Sequence, residues 1–61
     1  MTEFEALALR EYSERLILSN SVESMDEVLT KADVDSDISE RAFFYLTWLG
    51  NSLAEKFGFV R

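Results

Sequence analysis

Ile38-Ser39-Glu40-Arg41-Ala42-Phe43-Phe44-Tyr45-Leu46-Thr47-Trp48-Leu49-Gly50-Asn51-Ser52-Leu53-Ala54-Glu55-Lys56-Phe57 is the stretch on which the fold of this chain turns. Ile38, Ala42, Leu46, Leu49, Leu53 and Phe57 recur at the three- and four-residue intervals that gather side chains along one side of an α-helix. The run therefore reads as a helix over about residues 38–57. Asp37 with Glu40 three residues later forms a capping pair at its start, and Gly58 fits the position just past its end. Gly50-Asn51 interrupts the pattern, because a glycine inside a helix costs about 1 kcal/mol. Either the backbone packs closely there and the helix continues, which is the expectation, or a short fourth helix restarts under Ser52 and Glu55.

Working outward, Asn20 with Glu23 can cap a second helix over about residues 22–32. Its stripe of Val22, Met25, Val28, Leu29 and Ala32 is the cleanest in the chain, and Glu23, Asp26, Glu27 and Lys31 face away from it. Thr2 with Glu5 opens a first helix over about residues 3–18. There Phe4, Ala8, Leu9, Tyr12 and Leu16 fall on one side, and Glu11 and Arg15 sit four apart in the favourable order. Ser19-Asn20-Ser21 separates the first two helices, because short polar side chains compete for backbone hydrogen bonds. The expected fold class is all-α, a single small bundle of three principal helices, with no repeats and no linker.

Composition limits what such a domain does. The 61 residues contain no His, no Cys and no Pro, and twelve acids against six bases leave a net charge of −6. Without imidazole or thiol, a Ser or Thr nucleophile lacks its usual activating base, and no phosphate-binding loop is present. The expectation is no enzyme and no cofactor. Asp33, Asp35 and Asp37 are spaced like the first ligands of a calcium loop, but Ile38 stands where that loop needs Gly and Phe44 where it needs an acid. The acids therefore read as helix-capping groups, and no metal is expected.

Charge is unevenly distributed. Residues 3–40 carry eleven acids against Arg10, Arg15 and Lys31, which leaves −8, whereas residues 41–61 carry Arg41, Lys56 and Arg61 against Glu55, which leaves +2. Six scattered cations do not form a phosphate-binding stripe, so direct nucleic-acid contact is not expected. An acidic decoy of nucleic acid ranks last, since the acids gather at helix starts. No apolar run approaches the roughly 20 residues of a membrane span, and Met1-Thr2-Glu3 begins acidic, so the cytoplasm is the expected compartment.

Phe44, Tyr45 and Trp48 point away from the inward stripe of the third helix. Either the first two helices wrap this side completely and it is core, or it is an exposed aromatic interface of the kind that Trp and Tyr favour. Contact with a membrane surface is disfavoured by the acidic charge. A domain of this size buries only about 60% of its unfolded surface, which makes self-association attractive. One expectation is therefore a homodimer across the aromatic face, in a small phage or mobile-element protein aimed at a host protein. Glu23, Asp26 and Glu27 are either a solvated face or a surface that steers a basic partner.

From Arg15 to about Glu55 the chain resembles the Hha/YmoA family of small enterobacterial proteins that bind the nucleoid protein H-NS and modulate its gene silencing. Asn20-Ser21-Val22-Glu23-Ser24-Met25-Asp26-Glu27-Val28-Leu29 is similar, without a gap, to the family's Thr-Thr-Ile-Asp-Thr-Leu-Glu-Arg-Val-Ile, and Lys31 follows at the matching place. The acid-rich loop, Glu40, Phe44-Tyr45, Leu53-Ala54-Glu55 displaced by one residue, and Phe59-Val60-Arg61 resemble further family features. The resemblance implies a helical fold and a basic, DNA-binding protein partner contacted by acids. Glu23 and Asp26 match two of those acids, while a third falls at Leu49 or Gly50.

Overall fold

Three helices follow one another in the computed structural model, which describes residues 2–58: α1 (Glu3–Leu18), α2 (Val22–Asp33) and α3 (Glu40–Phe57). The expected bundle of three is present. The ending Phe59-Val60-Arg61 lies outside the described residues. Each helix packs against both others. The Glu5 carboxylate accepts from the Ser39 N–H at 3.1 Å, which sets the beginnings of α1 and α3 side by side, with α2 returning between them.

Every helix begins with a hydroxyl cap, but two caps differ from the expected ones. Thr2 accepts from the Glu5 N–H as anticipated. For α2 the cap is Ser21, which accepts from the Ser24 N–H, and not Asn20. For α3 it is Ser39, which accepts from the Ala42 N–H, and not Asp37. The physical reason lies in Ile38. With Ser39 as cap, Ile38 immediately before it and Phe43 in the first turn occupy the hydrophobic-staple positions, and both pack on the core.

The core consists of Leu16, Met25, Ala32, Ala42, Leu46 and Ala54, with Leu9, Tyr12, Val28, Leu29, Leu49 and Leu53 packed around it. Among the described residues no polar or charged side chain is buried. Gly50 resolves the ambiguity in α3, because the helix runs through it unbroken. A Cβ there would stand 3.6 Å from Leu29 Cδ1 and 3.7 Å from Leu16 Cδ2, so this is where α3 meets both other helices. Gly58, at φ 72°, ends α3 in the left-handed conformation that glycine adopts without strain.

Four residues of the expected inward stripes lie outside the core: Ala8 and Val22 are half-buried, and Phe4 and Phe57 are exposed. Phe4 is 72% exposed. The line Phe4-Ala8-Tyr12-Leu16 advances by about 40° at each four-residue step, so Phe4 has turned about 120° from Leu16. Phe57 is half exposed because it follows Ala54, the last buried residue of α3. No helix among the described residues is long and apolar enough to cross a membrane.

Candidate functional site

Two surfaces outside the core hold the expected contact residues, an aromatic one on α3 and an acidic one on α2. On α3 the buried Ala42, Leu46, Gly50 and Ala54 fix the inward direction. Arg41, Phe44, Trp48, Asn51 and Glu55 are exposed and lie along the opposite side. Phe44 is 62% and Trp48 61% exposed, and Tyr45, on the flank, is 45% exposed. The aromatic side is thus surface and not a second core face. The first two helices do not wrap α3, because the side chains of α1 and α2 that pack on the core meet α3 on its inward side.

The rings are organised as a flank and a crest. Tyr45 and Trp48 have centroids 5.9 Å apart with planes inclined at 35°, a tilted pair one turn apart. Phe44 stands on the same side as Trp48, four residues earlier. The Tyr45 flank opens into a groove of about 630 Å³ between α1 and α3, whose walls include Leu9, Ala42, Arg10 and Arg41. Sequence reading missed this groove, since it depends on how α1 settles beside α3. It also missed that Arg41 and Glu55 extend the aromatic stripe seven residues to either side of Trp48. That signal is present in the spacing, because seven residues make nearly two full turns.

Glu23, Asp26 and Glu27 are all exposed on α2. Glu23 and Glu27, four apart, form one row, and Met25 and Ala32 on the opposite side hold α2 against the core. Two ion pairs form within α1, Arg10 with Glu14 at 3.2 Å and Arg15 with Glu11 at 2.6 Å. Glu23 and Glu27 take part in no ion pair among the described residues, and Lys31 follows Glu27 one turn along the same side. The six expected contact residues thus occupy two helices, and the structure brings Tyr45 and Trp48 into contact without joining the acids to the rings.

The acid-rich loop is structural. The Asp35 carboxylate accepts the Tyr12 hydroxyl at 2.6 Å through Oδ2 and the Asp37 N–H at 2.9 Å through Oδ1. These bonds, the Tyr12 one foremost, hold Asp35 below the usual carboxylate range. The bond to Asp35, burial and the nearby negative charge raise Tyr12 above its ordinary value. Asp35 thus ties the loop between α2 and α3 to α1, whereas the expected capping of α3 falls to Ser39. No protein-family model matches the chain, and neither a curated protein nor a solved structure does.

Proposed function

We propose that the chain is a non-enzymatic protein-binding regulator that engages a basic, DNA-binding partner through the acidic side of α2. Glu23, Asp26 and Glu27 meet Arg or Lys of that partner, and the packed stripe of Met25, Val28 and Ala32 keeps the helix rigid behind them. The observation that carries this reading is the row of Glu23 and Glu27, both exposed and neither in an ion pair among the described residues. Like charges held one turn apart repel, and a cationic partner relieves that repulsion while steering encounter. The mode is Hha-like, with modulation of the partner's assembly or DNA contacts as the outcome.

The test is an NMR titration of the labelled chain with H-NS. The expected result is movement of the Glu23, Asp26 and Glu27 amides, with Glu23→Lys and Asp26→Lys each weakening binding by about tenfold or more. Unmoved amides at saturating partner would refute it.

The exposure of Phe44, Tyr45 and Trp48 favours a second reading, in which the chain self-associates through α3. Three neighbouring aromatic side chains left in water are a surface that association stabilises.

A further inference from the structure

The outward stripe of α3 is complementary to itself when turned end for end. Arg41, Trp48 and Glu55 are separated by equal intervals of seven residues, with the cation at the helix start, the anion near its end and the indole midway. We propose that a second copy of this chain covers the stripe, its α3 antiparallel to the first and the two-fold axis passing beside Trp48. The inference rests on the self-association reading and deepens it to a defined register.

A two-fold axis between antiparallel helices places each residue opposite the one equally far from the centre on the other side. Centred on Trp48, the pairing sets Arg41 against Glu55 of the second copy, and the symmetry makes the same ion pair again at the other end. Each pair lies about 10 Å along the helix from the axis. Between them, Phe44 of each copy falls opposite Ser52 of the other, and Tyr45 falls opposite Asn51. The large rings therefore meet small polar side chains and do not collide, while the two indoles face each other at the centre. Arg41 and Glu55 are both exposed, and neither takes part in an ion pair among the described residues. A parallel arrangement would instead set Arg41 against Arg41 and Glu55 against Glu55. Charge thus selects both the occupant and its direction.

Sedimentation equilibrium of the full chain tests this with Arg41→Glu, Glu55→Arg and the two changes combined. Circular dichroism should give unchanged helix content for all three, because both side chains are exposed in the monomer. The expected result is a dimer that each single reversal weakens by about tenfold or more, since two attractive pairs become repulsive, and that the combined reversal restores. Singles that dimerise like the parent chain, or a combined variant no better than the singles, would overturn the register and leave self-association standing. A parent chain monomeric up to about millimolar concentration would overturn both and assign the aromatic stripe to a different protein.

Discussion

Tyr12 and Asp35 show how one side-chain contact joins distant parts of the chain. Their 2.6 Å hydrogen bond spans 23 positions of sequence and fastens the loop between α2 and α3 onto α1. Its pH dependence has two arms. Asp35 is shifted down, so the stability it contributes is whole above about pH 4, where the unfolded carboxyl is already ionised, and is lost as pH falls through the lowered value. Tyr12 is shifted up, so its contribution is whole below about pH 10 and is lost as pH rises through the raised value. Tyr12→Phe should lower the thermal midpoint at neutral pH and bring the two proteins together at both extremes. Melting curves across pH check this, and a constant difference would contradict it. Nothing in the sequence marks the pair: Tyr12 falls on the core stripe, and Asp35 is one of three acids spaced like helix caps.

At the scale of the element, the three helices were legible because each carries an apolar stripe at helical spacing that outlasts local irregularities. Their starts were less so. Asn20 competes with Ser21, and Asp37 with Ser39, as caps of similar intrinsic worth, and the choice is made by which residue lets the chain enter the core. Phe4 lies off the core for a related reason, since a four-residue repeat drifts around the helix and leaves the core within a few turns. Gly50 illustrates a feature that sequence poses and structure answers. The Cβ of an alanine there would make ordinary van der Waals contacts with Leu29 and Leu16. Gly50→Ala should therefore stabilise the chain by about 0.5–1 kcal/mol through helix propensity and reduced freedom of the unfolded chain. Chemical denaturation measures this, and a loss of stability would mean that α3 packs more closely on its neighbours than these distances indicate.

The whole molecule separates its two candidate surfaces by helix and by chemistry. α2 presents acids and α3 presents rings, so a basic protein and a second copy need not compete for the same side chains. Sequence made the residues of both surfaces visible but left the aromatic side open between core and interface. That alternative depends on how much of α3 its neighbours cover, a tertiary quantity that no local pattern contains. It also left the groove beside Tyr45 unseen, for the same reason. The central claim is that the aromatic side of α3 is a contact surface which the folded monomer leaves in water. Trp48 is the single indole of the chain and reports on it directly. Its emission, measured on the folded protein from dilute to concentrated solution, should be solvent-like in the monomer and move to the blue as association proceeds. Emission already blue and shielded from quenchers in the dilute, folded monomer would place the ring in the protein's own core and contradict the account.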